Sequence, residues 1–150
     1  VSAAFDTAAP LPLEALPALA IGKGNHRSRD DGHCATELVA WIAGEPHSDH
    51  PACVCPVLTA FVVDWNDSLP SDAERARLLG PLLPKLVGSR STPEVEKRRA
   101  WLGVDWYVRE QTPAWLDIVP ALAEHAAALR ALPEIATMGD LMAAGPAIEA

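Results

Sequence analysis

The stretch Cys34-Ala35-Thr36-Glu37-Leu38-Val39-Ala40-Trp41-Ile42-Ala43-Gly44 decides the fold class. Ala35, Leu38, Val39 and Ile42 recur at i, i+3, i+4 and i+7, the spacing that puts side chains on one face of an α-helix. Gly44 stands where a helix commonly ends in a left-handed residue. The same grammar continues downstream. After a loop over 45–53 with Pro46 and Pro51, Pro56 fits the first turn of a second helix. That helix runs to about Asp67, with Val57, Leu58, Phe61, Val62 and Trp65 facing inward. Ser71 and Glu74 are spaced as a capping box and open a third helix to Leu79. A short continuation carries Leu82, Leu83, Leu86 and Val87 to a stop at Gly88. Thr92-Pro93 and Thr112-Pro113 each join an N-cap residue to a first-turn proline, which predicts a fourth and a fifth helix. Pro120 kinks or divides the fifth, a further helical stretch reaches Leu132, and 137–144 adds a short terminal helix.

Upstream, Pro10, Pro12 and Pro17 prevent a long regular helix, so residues 1–21 read as an extended Pro-rich N-terminal arm. A short strand over 18–21 is the one alternative, and no other segment carries a sheet pattern. The expectation is a mainly α protein, an irregular bundle of about five or six helices. It forms a single helical domain over 1–150, with the arm at 1–21, the core at 22–132 and a C-terminal tail or short helix at 133–150.

Composition narrows the function classes. A chain of 150 residues has room for one domain's core, and 49% hydrophobic residues supply the material for it. Twelve Lys and Arg against 20 Asp and Glu leave a formal charge of −8. Nucleic acid and anionic membrane surfaces call for a basic footprint, so neither is expected as the main partner. The longest apolar run, 57–63, is broken by Thr59 and falls far short of the ~20 residues that span a bilayer. No basic region precedes the apolar N-terminal stretch, so no secretory signal is visible. Three cysteines do not make a disulfide framework. Free or metal-bound thiols in a reducing cytoplasm fit that number better. Trp41, Trp65, Trp101, Trp106 and Trp115 read as indole anchors of the core.

Chemistry concentrates between residues 33 and 55, which hold all three cysteines and three of the five histidines. His47-x2-His50-x2-Cys53-x-Cys55 sets four thiol or imidazole groups in one short run, and these are the ligands zinc favours. A helix over 34–43 is about 15 Å long at ~1.5 Å per residue, and a loop over 44–50 extends at most ~23 Å. The loop can therefore fold back and bring His47 or His50 beside Cys34. The zinc set expected on these grounds is Cys34, His47, His50 and Cys53, with Cys55 as the reserve sulfur. The same residues permit a metal-free reading. Cys34 at a helix N-terminus is placed for thiolate stabilisation, with His33, His47 or His50 as base and Asp49 or Glu37 orienting it. Glu37 also fits a general base beside a metal-bound water, or a salt bridge to Arg27 or Arg29. Plain burial of the cysteines is the structural alternative.

Three further patterns bear on function. The pairing of Cys34-Ala35-Thr36-Glu37 with Pro51-Ala52-Cys53-Val54-Cys55 departs in both spacings from the H-x-E and P-C-x-x-C of zinc nucleobase deaminases, and that fold's strand–helix alternation is missing. Asp105 in an otherwise apolar helix points to an internal ion pair with Arg109 or Arg98, the alternative being an acid projecting into a pocket. Asp64, Asn66 and Asp67 lack the spacing of a calcium loop and read as a polar helix end.

The segments Gly22-Lys23-Gly24-Asn25-His26, Gly32-His33-Cys34 with Glu37, and AGEPHSDHPACVCPVL at 43–58, continuing through Trp65-Asn66-Asp67, resemble a family of proteins of unassigned function. The resemblance spans roughly residues 22–115, through Leu86-Val87-Gly88-Ser89-Arg90 to Asp105–Leu116. It implies a shared domain and carries no activity. Two function classes follow from the residues themselves. One is a soluble helical module in which a structural zinc fastens the 34–53 region and other surfaces bind a protein partner. The other is a small hydrolase using that metal centre or a Cys34 nucleophile with a histidine base.

Overall fold

Cys34 adopts an extended backbone, and the chain turns into helix α1, Ala35–Ile42, at the next residue. Ala35, Leu38, Val39 and Ala40 are completely buried, and so, nearly, are Thr36 and Glu37. The helix is therefore enclosed on all sides rather than on one apolar face. It ends as its sequence predicts. Gly44 takes φ +70°, and Glu45 N–H closes back on the Ala40 carbonyl at 2.9 Å. A Cβ at position 44 would also meet Pro10 Cγ at 3.0 Å, so glycine serves both the turn and the approach of the arm.

The structure, a computed structural model, describes residues 9–150. The part of the expected arm over 1–8 lies outside the described residues. From Leu11 the arm belongs to the core: Leu11, Leu16 and Ile21 are buried, and Leu13–Ala18 forms a 3₁₀ turn. The molecule is mainly helical, with no strand among the described residues, so the alternative strand over 18–21 is not formed. No helix among the described residues is long and apolar enough to cross a membrane. It resolves into two compact units, one ending at Thr92 and one spanning Pro93–Ala150, where the sequence reading has one core over 22–132.

In the first unit, α2 (Pro56–Ser68) and α4 (Leu83–Leu86) pack on α1. α3 (Asp72–Leu79) begins with the Ser71 cap, whose side chain accepts from Glu74 N–H. The inward face of α2 keeps Leu58, Val62 and Trp65 against the core as expected and departs from expectation at Phe61. Thr59, Val62 and Asn66 are buried, whereas Phe61 is 55% exposed. The i, i+3, i+7 row that meets α1 runs through Asn66 because that side chain has partners to reach. Its Oδ1 accepts from Ala35 N–H at 3.3 Å and its Nδ2 donates to the Gly22 carbonyl at 3.0 Å. Buried Arg75 donates to the Asn66 and Leu69 carbonyls and to Asp72. It thus satisfies carbonyls that α2 leaves open at its C-terminus.

In the second unit, α5 (Pro93–Trp106) does not stop before Thr112. A π-helical turn over Tyr107–Gln111 carries it directly into α6, Thr112–Leu116. The expected N-cap at Thr112 is therefore corrected. Pro113 has no N–H to offer the preceding turn, and Thr112 Oγ1 donates to the Tyr107 carbonyl at 2.8 Å instead. A wide turn accommodates the proline that a regular helix would not. α7 (Ala123–Arg130) and α8 (Met138–Ile148) follow. α8 is longer than the stretch expected over 137–144. The core reading of the tryptophans holds for Trp41 and Trp65, which are partly buried and pack against the first unit's core, and is corrected for Trp106 and Trp115, which are exposed; Trp101 is partly buried. The second unit buries few side chains, among them Ala126, Leu129, Ile135 and Ala144, too few to enclose its indoles.

Candidate functional site

Glu37 is the centre of the 22–50 region. As the third residue of α1 it reaches back to the cap, and Cys34 N–H donates to Oε2 at 2.7 Å. This is the carboxylate half of a capping box, with cysteine in the place of serine or threonine. His26 adds two bonds, its backbone N–H to Oε1 at 2.7 Å and its Nδ1–H to Oε2 at 2.8 Å. His47 Nε2 lies 3.5 Å from Oε1 and donates to the His26 carbonyl at 3.0 Å. Burial pushes the Glu37 carboxyl up, but the N–H donors from His26 and Cys34 outweigh it and hold the group below the ordinary glutamate range. The expected salt bridge of Glu37 to Arg27 or Arg29 is replaced by these histidine contacts.

The loop carrying His26 is closed by Gly22 N–H on the His33 carbonyl at 2.7 Å. The His26 ring fills the space between two glycines: a Cβ at Gly32 would lie 2.8 Å from Cδ2, and one at Gly22 would lie 3.1 Å from Nε2. His33 packs on Trp41 at 5.2 Å between ring centroids, and the Arg29 guanidinium sits 5.3 Å from the same indole. Burial first, and then the neighbouring His47, pull the His33 pKa down. Arg29 continues to the Glu45 carbonyl at 2.8 Å.

The cysteines and remaining histidines have other neighbours. Cys34 Sγ rests 3.3 Å from Thr36 Oγ1, and burial pushes its thiol up to about 11. It is a protonated thiol at neutral pH, despite its place at a helix N-terminus. His50 is well exposed and pairs through Nδ1 with Asp49 at 2.8 Å. Asp49 therefore orients His50. Cys53 is half-buried, its thiol also raised by burial. Cys55 is fully buried, with its N–H on Ser89 Oγ. Glu45 accepts from Ala52 N–H at 2.6 Å and Cys53 N–H at 2.8 Å. The 44–53 loop, with its two prolines, is thus fastened by a carboxylate. No three His, Cys, Asp or Glu side chains among the described residues are grouped as a metal ion would require.

His26 lies outside the site expected from sequence, and His33 enters that expectation only as a candidate base. Two signals point to His26: the Cys34-x-x-Glu37 capping spacing, which draws the carboxylate inward, and the glycines flanking the loop that carries it. A small cavity of about 240 Å³ lies beside Cys34, bordered by Asn25, Asp49, Asn66 and Asp67. Asp67 accepts from Gly24 N–H at 2.8 Å and from Asn66, which hold its carboxyl below its usual value. In the second unit a groove of about 650 Å³ runs between α5 and residues 134–138. Asp105 lines it, accepting from Arg109 at 3.0 Å and from Ile135 N–H at 2.9 Å. The expected Asp105–Arg109 pair is present, and Asp105 also borders the groove. No family model, curated protein or solved structure matches the chain.

Proposed function

We propose that the chain is a protein-interaction module whose second unit carries the binding face. One observation carries this reading. Of the 13 exposed large hydrophobic residues among those described, ten belong to Pro93–Ala150. They include Trp106, Tyr107, Trp115, Ile118 and Met142, with Trp115 66% and Ile118 77% exposed. Aromatic residues and methionine are the types that concentrate at the centres of protein interfaces. Around the turn after α6, Ile118 and Val119 N–H groups close on Trp115 and Leu116 carbonyls, and Arg130 pairs with Asp117 at 2.6 Å. The exposed apolar side chains there sit on a held turn, which lowers the ordering cost of binding. The Glu37 cluster supports the same class, because its carboxylate already accepts several bonds and Cys34 offers no thiolate.

The test places a photo-reactive amino acid at Trp115, with one at Phe61 in the first unit as comparison. The reading expects discrete adducts at position 115 that excess unlabelled protein competes away and an Ile118→Asp competitor does not. Absence of competed adducts refutes it. Zinc is read separately by elemental analysis of the purified protein. One zinc per chain supports Cys34, His47, His50 and Cys53 as ligands, and none leaves Glu37 and Glu45 as the fastenings of that region.

A further inference from the structure

We infer that the groove beside α5 pairs with the same groove of a second copy of this chain; the inference rests on the interaction-module reading. Val95, Arg98, Leu102 and Trp106 stand at i, i+3, i+7 and i+11, within an arc of about 80° on a helix turning 100° per residue. All four are exposed, so α5 presents an apolar stripe interrupted by one guanidinium. The stripe borders the groove through Val95, Arg98 and Leu102.

The charges of the groove choose the occupant. Lys97, Arg98 and Arg99 line the groove together with Glu94, Asp105 and Glu134, three of each sign, so net charge selects neither an anionic nor a cationic ligand. A two-fold interface needs no net charge, since each surface meets itself and must be self-complementary. Spacing along α5 supplies that complement. Arg98 precedes Leu102 by four residues and Trp106 follows it by four. When two α5 helices run antiparallel about a two-fold axis at Leu102, the leucines meet each other. Arg98 of each copy then opposes Trp106 of the other, a cation–π contact formed twice.

Sedimentation equilibrium from about 1 to about 100 µM, a range over which a micromolar interface populates, reads the proposal directly. The expected mass rises from 16.0 kDa to twice that value. Leu102→Asp and Arg98→Glu are each expected to weaken the dimer at least tenfold. Adding Trp106→Arg to Arg98→Glu restores it by forming an ion pair across the axis. Leu102 is 65% exposed, so its replacement leaves the helix intact, and circular dichroism verifies this. A chain that stays monomeric throughout, or a dimer that survives Leu102→Asp, overturns the proposal. So does an adduct of foreign mass when the photo-reactive residue is placed at 102. Competed adducts at Trp115 that persist in Leu102→Asp would leave the interaction module standing while this pairing falls.

Discussion

Replacing Glu37 by Gln removes one charge and one acceptor while keeping the shape of the side chain. The carboxylate accepts from two backbone N–H groups and one imidazole N–H, each at 2.8 Å or less. An amide has one oxygen. With that oxygen on His26 N–H, its NH₂ group faces the N–H of Cys34, and a buried donor is left without an acceptor. Such a loss costs about 1–3 kcal/mol, and bonds to a charged acceptor contribute about 1.5–3 kcal/mol. Because the contacts share one carboxylate they do not add, and a total of about 2–4 kcal/mol is expected. Hydrogen exchange resolved by mass spectrometry is the suitable assay, since it reads residues 22–50 without assuming that both units unfold together. Faster exchange should concentrate in peptides containing His26 and Cys34. The pH dependence supplies a second signature. The folded carboxyl lies below its ordinary value, so the unfolded chain binds the proton more readily. The stabilisation is complete above the unfolded value of about 4.3 and is lost as pH falls through the folded value. The Glu37→Gln variant lacks this acid-side loss. A change below about 0.5 kcal/mol, with an unaltered acid profile, would refute the reasoning and show that water replaces the carboxylate at no cost.

Asp105→Asn should lower stability by about 1–3 kcal/mol through the weakened Arg109 pair and the weakened acceptor for Ile135 N–H; an unchanged melting temperature would count against both contacts. Alkylation of Cys34 at pH 7.5 should run roughly a hundredfold or more slower than that of a free cysteine, because its thiol lies near 11 rather than the free value of about 8.5. Rapid modification of that residue at neutral pH would contradict its burial. Gly32→Ala combines φ +130° with a Cβ only 2.8 Å from the His26 ring, and a loss of about 1–3 kcal/mol is expected. A variant as stable as the parent would show that the His26 ring is free to move aside.

Much of the fold is legible from local chemistry. The apolar spacing after Cys34, the Ser71–Glu74 cap and the stop at Gly44 all act within a few residues, and all are present. Thr112-Pro113 misleads because the same dipeptide that opens a helix can ride inside one. The difference lies in whether the preceding turn widens, which neighbouring packing decides. Trp106 and Trp115 mislead for another reason: composition reports how much apolar surface exists, not whether one chain suffices to cover it. At the site, the sequence reading weights the sulfur atoms of the 33–55 stretch. Their contribution depends on desolvation, which the spacing of Cys34 and Cys53 does not reveal. Glu37 is visible in the sequence as a residue at the border of an apolar face. That its partner is His26, across a closed loop, depends on the Gly22–His33 bond and on the room left by two glycines.

The wide turn at Tyr107–Gln111 acts as a phase shift in the helix that contains it. An α-helix advances by a fixed angle per residue, so the bearing of every later side chain follows from the earlier ones by counting. One extra residue in a turn breaks that count. The direction of Trp115 is therefore set independently of those of Leu102 and Trp106, though a single helical rod carries all three. Lengthening or shortening that turn by one residue would swing everything after it by about 100°, leaving the rod continuous and the upstream stripe where it was. Two surfaces on one rigid element can in this way be aimed separately.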